Sequence, residues 1–291
     1  MGHMNVRFYV AKAMDGAFGF FAAIGLPDVA RPGAAATVRV LSHHVRFHRE
    51  ARPGEPLAMT AHVVKLGVTG LTLCQMLTHG DGRVCATFLT ELAHVATATA
   101  KAFPWTSRVA ERLPELVAEA PEVARPRSLV TSHGPTPASV EAADALGLMV
   151  TGRGMVSPAD VDCHGLMRTE LVIGRISDSV PNLMYCWREA LTARAAEASG
   201  RAVRSGAAVL EFRLDYRAWP TLGDRVELRS AISDVAEKTQ TLTHWLLDPA
   251  SGLALATAKA VAVSFDLDTR KTIPIPEPER AALLALKVEG V

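Results

Sequence analysis

Two residue strings in this 291-residue chain carry groups suited to the same chemistry and share one layout. Gly2-His3-Met4-Asn5-Val6-Arg7-Phe8-Tyr9 opens the chain, and Asp162-Cys163-His164-Gly165-Leu166-Met167-Arg168-Thr169-Glu170 opens its second half. Each leads into an apolar helical pattern. Free N–H groups and the dipole at the start of a buried helix favour negative charge developing on a carbonyl oxygen. A carboxylate just ahead of that start can activate water or attack a carbonyl itself. The second string has such a carboxylate, Asp162, three residues before Gly165, where the helix is expected to begin. Glycine admits a substrate close to the backbone, so the N–H of Gly165 or Leu166 is the candidate donor. On residue types alone, a cap for the following helix is the plainer reading of Asp162. In the first string, counting back three from Gly2 runs off the chain; His3 and Asn5 remain, where the second string has Leu166 and Arg168.

Other polar residues carry two readings each. Glu170 is a second carboxylate near Asp162 or, the plainer view, a solvated residue paired with Arg175. Asp15 and Asp178 fall inside helices, facing a cleft or pairing with Lys12 and Arg175 three residues earlier. His43, His44 and His48 cluster on a strand, but the sequence shows no further ligands, so no metal is expected.

The elements that must position these groups occur twice. An offset of 163 places Gly2 on Gly165, Met4 on Met167, Lys12 on Arg175 and Asp15 on Asp178. At 169, Pro53-Gly54-Glu55 meets Leu222-Gly223-Asp224 and Thr72-Leu73 meets Thr241-Leu242; at 170, Lys101 and Pro104 meet Lys271 and Pro274. A slowly growing offset is the mark of a tandem duplication with loop insertions. Each half reads as a helix (5–24 and 171–198) followed by strands. These are 37–47, 56–64, 71–78 and 84–95 in the first half, and 210–216, 225–232, 239–247 and 253–265 in the second. Pro181 should kink the second helix or mark a restart. Alternating apolar and polar residues joined by turns such as Gly80-Asp81-Gly82 and 248–252 imply antiparallel sheets, each wrapped around its helix. A strand at 151–156 precedes the second motif and has no counterpart before the first. Between the halves, residues 104–149 hold prolines at 114, 121, 126, 135 and 137 and two short helical patterns, 107–118 and 138–146. The tail 278–287 is the second half's counterpart of the helix at 107.

Composition excludes several partners. With 31 basic and 30 acidic residues, the net charge of +1 offers no footprint for nucleic acid or an anionic membrane. The longest apolar stretch, 17–26, falls short of the roughly 20 residues that span a bilayer. No signal peptide is expected, and four scattered cysteines (Cys74, Cys85, Cys163, Cys186) fit reduced thiols in a cytoplasmic protein.

Gly2-His3-Met4-Asn5 with Tyr9 one turn later, and Asp162-x-x-Gly165, resemble the helix opening of hotdog-fold acyl thioesterases. The turns at 53–55 and 222–224, and the exit 266–276 from the last strand, resemble theirs too. The grouping most resembled is the double-hotdog acyl-CoA or acyl-carrier-protein (ACP) thioesterases. The resemblance implies an α+β fold of two tandem units, each a long central helix wrapped by a curved antiparallel sheet. The units are placed at 1–103 and 150–291, with 104–149 connecting them. Such units pair edge to edge, here within one chain, and two chains can pair again into a homodimer. It implies thioester hydrolysis without a cofactor, on a coenzyme A or ACP substrate. Asp162 would serve as base or as nucleophile, with Gly165 at the oxyanion site and His3 and Asn5 as the first copy's remnants. Leu166, His164, Tyr9 and Glu170 would contact substrate. A non-catalytic acyl-binding hotdog is the alternative. Hydratases of this fold resemble Asp-x-Asn-x-x-His, a run neither copy has.

Overall fold

The structure, a computed structural model, describes residues 2–129, 137–195, 205–266, 268–269 and 271–291, with backbone only for 186–195 and 205. Pro135, the expected helix end at 196–198, and Leu267 and Arg270 of the strand exit lie outside the described residues, as does the side chain of Cys186.

The first half begins with α1 (Val6–Ile24) and continues through β1 (Ala36–Phe47), β2 (Leu57–Leu66), β3 (Gly70–His79) and β4 (Val84–Ala96). Then come two short helices, α2 (Ser107–Arg112) and α3 (Val140–Leu146). The second half is β5 (Met149–Met155), α4 (Glu170–Ala195), β6 (Ser205–Tyr216), β7 (Arg225–Val235), β8 (Thr239–Leu247), β9 (Ala254–Asp266) and α5 (Glu277–Ala285). Asn5 caps α1: its side-chain oxygen accepts the Arg7 N–H, and Gly25 closes the helix in the left-handed region. Tyr9, Val10, Ala13, Met14, Ala17, Phe21 and Ile24 form the buried face of α1, which supplies the apolar contact a sheet needs on one side. Full burial of a residue such as Phe21 or Phe88 is worth about 1.5–3 kcal/mol.

All nine strands join in one antiparallel sheet, ordered β2-β3-β4-β1-β6-β9-β8-β7-β5. The two halves meet at the β1–β6 seam, where Ser42 faces Asp215 and Arg46 faces Glu211. The duplication is visible bond by bond. Irregularities at Leu41 in β1 and Leu210 in β6 correspond, as do those at Val64 in β2 and Ser233 in β7. The Met4 N–H donates to Ala51 O as the Met167 N–H does to Pro220 O (2.8 and 2.7 Å). Ala118 N–H meets Val63 O as Val288 N–H meets Ile232 O (2.8 and 2.9 Å). The tail helix α5 thus takes up in the second half the position of α2 in the first.

Three expectations need correction. The helix of the second half begins at Glu170, within a residue of the expected span 171–198, and not at the motif's Gly165. It runs through Pro181 without a restart. The helical pattern after 107 ends at Arg112 and tightens into a 3-10 turn, Leu113–Leu116, where Pro114 removes a helix donor.

Candidate active site

The start of α4 is reached through a tight hairpin. Val161 bridges Met167, Asp162 N–H donates to Leu166 O, and Arg168 N–H donates to Asp160 O. Gly165 turns the tip with a φ of 76°, a left-handed conformation that disfavours other residues. Asp162 organises this tip. Its Oδ1 accepts the N–H groups of His164 (2.8 Å) and Leu166 (3.1 Å). The Gly165 N–H is spent on Asp162 O (3.1 Å). Both expected oxyanion donors, Gly165 and Leu166, are therefore occupied within the turn. The His164 ring is 3.3 Å from Val29 O, and the Cys163 thiol is 3.2 Å from Ala30 O, so the hairpin packs on the loop after α1.

The unengaged donors lie further along. Among the described residues, the N–H groups of Thr169 and Glu170 make no hydrogen bond. In the first half the matching start has the Arg7 N–H already taken by the Asn5 side chain, so the pair of free donors is not repeated there. Glu170 sits buried in the first turn of α4, where a carboxylate also suits the helix dipole. Its partner is Arg168, at 3.4 Å, not Arg175, which pairs with Asp160 at 3.4 Å. Glu170 is thus a buried group and not a solvated one.

Two strands from opposite halves floor this start. Tyr216 of β6 has its hydroxyl 3.4 Å from Thr169 O and 3.0 Å from His43 Nδ1 of β1. Full burial pushes the Tyr216 phenol well up and holds the His43 imidazole down at about 3, assisted by the charge of Arg213. Both are neutral near pH 7. Tyr216 stacks on Trp219, and the Arg39 guanidinium of β1 lies over the same indole, 5.9 Å from its centroid. Burial pushes Arg39 down from its ordinary range, and the charge of nearby Asp162 opposes this. A line of contacts therefore runs from Arg39 through Trp219 and Tyr216 to Thr169 at the helix start. Arg39, His43, Tyr216 and Trp219 carry no local sequence signal for this role, because their partners lie on other strands or at the start of α4.

The first-half residues gather elsewhere. Asn5 Nδ2 donates to Ser177 Oγ of α4 at 3.2 Å, and the Arg7 stem packs on Gly174. Ser177 is seven residues into α4, so the two helix starts are separated by about 10 Å along that helix. His3 stands 3.8 Å from Glu50. Tyr9 is buried against Phe47, and its hydroxyl accepts the Ala51 N–H at 2.9 Å. Lys12 pairs with Asp15 at 2.9 Å, whereas Asp178 is exposed. His43 and His44 of β1 and His48 just past its end have separate partners: Tyr216, Glu211 and Thr87.

A long helix packed on a curved antiparallel sheet, twice in one chain, defines the class of fold. The chain belongs to the thioesterase-like superfamily, whose family model matches residues 1–113 and 156–283. It forms two tandem hotdog units, and membership carries the general chemistry of thioester hydrolysis. Solved structures share the fold over most of its length. The 12:0-ACP thioesterase of Umbellularia californica has a TM-score of 0.66 at 12% identity, covering 91% of this chain and 88% of that one. An acyl-ACP thioesterase from Bacteroides thetaiotaomicron has a TM-score of 0.63 at 11% identity, covering 90% of both chains. A provisionally assigned oleoyl thioesterase from Lactobacillus plantarum has a TM-score of 0.66 at 11% identity, covering 91% and 90%. No curated protein matches the chain by sequence.

Proposed function

We propose that the chain hydrolyses an acyl thioester of coenzyme A or ACP at the start of α4. The observation that carries this is the pair of unengaged N–H groups, Thr169 and Glu170, at a helix start that the Asp162 hairpin leads into and whose first residue, Glu170, carries a buried carboxylate. The thioester oxygen would rest on these donors, which favour the negative charge it gains during attack. Asp162 would act through Oδ2, because Oδ1 is committed to the turn. As a base it takes a proton from water as the water oxygen bonds to the carbonyl carbon. The tetrahedral intermediate then collapses, the C–S bond breaks, and the thiolate leaves to be protonated. As a nucleophile, Asp162 would form a mixed anhydride and expel the thiolate, and water would then release the acid. Burial of Glu170 at the helix start supports a second reading, in which it is the carboxylate that activates water. The solved ACP thioesterases and the two-unit fold support an acyl carrier as substrate.

The test is release of free thiol from a panel of acyl-CoA and acyl-ACP thioesters. Asp162→Asn keeps the Oδ1 acceptor, so the turn survives while the second anionic oxygen is lost. We expect kcat to fall about 100-fold or more, with an unchanged melting temperature. If Asp162→Asn is fully active and Glu170→Gln is not, the base is Glu170. No thiol release from any thioester would favour an acyl-binding role. Incorporation of 18O from solvent into Asp162 under single turnover would identify the anhydride route.

A further inference from the structure

We propose that Tyr216, held by His43, is a positioning residue for the oxyanion site: it anchors the carbonyl of the peptide whose N–H, that of Glu170, faces the reacting oxygen. This rests on the hydrolase reading above.

Thr169 C=O and Glu170 N–H belong to one planar peptide unit, so a hydrogen bond to the oxygen both fixes the direction of the N–H and polarises it as a donor. Tyr216 Oη lies 3.4 Å from that oxygen, a long contact of the kind that tightens when a reacting complex forms. The hydroxyl is not free to choose another acceptor if His43 donates to it. His43 Nδ1 is 3.0 Å away, and with Nδ1 carrying the proton the chain runs in one direction: Nδ1–H to Tyr216, and O–H to Thr169. His43 is fully buried and its Nε2 has no partner among the described residues, a costly state that packing alone would not require.

The duplication supplies the control. The positions matching His43 and Tyr216 in the other half of the seam are Phe212 and Phe47. Phe47 packs edge-on against Tyr9 with ring centroids 5.2 Å apart, while the rings of His43 and Tyr216 are also edge-on, at 5.6 Å. The positions matching His43 and Tyr216 thus carry no polar atom that could hold the first helix start. The helix start that has such atoms is the one that keeps Thr169 and Glu170 N–H free. His43 also arrives from the first unit, so the second unit's site is incomplete without its neighbour.

The full chain is compared with Tyr216→Phe, His43→Phe and His43→Asn, using the best acyl-CoA of the panel. Both phenylalanine variants take the residue already present at the matching position and should fold, which circular dichroism and melting temperature check. We expect kcat to drop about tenfold with KM within about twofold, less than the loss of an oxyanion donor itself. His43→Asn places an amide N–H near Nδ1 and should recover most of the rate. Phenylalanine variants with wild-type kcat, or an asparagine variant as slow as His43→Phe, would overturn the proposal. No thiol release from the wild-type chain overturns the hydrolase reading, and this one with it. Release with unchanged kcat in the variants overturns this one alone.

Discussion

At the scale of single residues, the most heavily bonded carboxylate lies outside the proposed site. Glu211 of β6 is 3% exposed and accepts from the backbone of Arg127 (2.9 Å), Ser128 (2.8 Å) and Leu129 (3.3 Å) while meeting His44 Nε2 at 2.6 Å. Burial alone would raise its pKa; these hydrogen bonds outweigh it and pull the carboxyl from 4.5 to about 2. A carboxylate held below its unfolded range stabilises the fold fully above that range. The contribution is lost as pH falls from about 4.5 towards 2. Glu211→Gln should therefore destabilise the chain by about 3 kcal/mol at pH 7, with the gap to wild type closing between pH 5 and 2 in denaturant titrations. A constant gap would show that charge is not the cause. The sequence marked Asp162 and Glu170 because each stands beside a helix opening. It did not mark Glu211, Arg39 or the His43–Tyr216 pair, whose partners lie on another strand or segment. The pair did leave a trace: at an offset of 169 each faces a phenylalanine, a change of chemistry within a conserved aromatic layout.

Elements were more legible than their ends. Strand spans follow from period-two alternation and turn residues, and the structure extends several of them by a residue or more, because sheet pairing continues past the last patterned side chain. The hydrophobic pattern of 171–198 places the second helix start within a residue, whereas the glycine motif alone places it five residues early, at Gly165. Gly165 resembles a helix opening, but Asp162 draws the chain into a hairpin first, using the N–H groups a helix would have exposed. The two starts differ in one further respect: Asn5 caps α1, and Arg168 stands in its place before α4. Asn5→Ala should cost about 1 kcal/mol through the cap, lowering the melting temperature by about 2 °C. Because Asn5 also binds Ser177, Ser177→Ala alone should have a smaller effect, and the double variant should fall short of the two losses added together. Additive losses in a double-mutant cycle would show the Asn5–Ser177 contact to be without consequence.

The whole molecule is organised by its seam. The offset series made the duplication readable, since each half repeats the turns that its own strands require. Which strands would meet was implied only by the resemblance, as pairing between distant segments leaves no periodic mark. At the β1–β6 seam the halves share five residue pairs of one ladder, the His44–Glu211 and His43–Tyr216 contacts, and the crossing of α1 over α4 at Arg7 and Gly174. Without its partner, each half would leave a long strand edge unpaired, a template for aggregation. It would also leave a buried ionisable residue, His44 or Glu211, unmatched, which is strongly destabilising. The prediction is that 1–129 and 137–291, expressed separately, are each insoluble or lack a cooperative melt, and that co-expression yields a one-to-one complex. On the hydrolase reading that complex should recover thiol release, because His43 from the first half reaches the second half's helix start only across this seam. A soluble, cooperatively melting 137–291 with full activity would show that the second unit needs neither the seam nor His43.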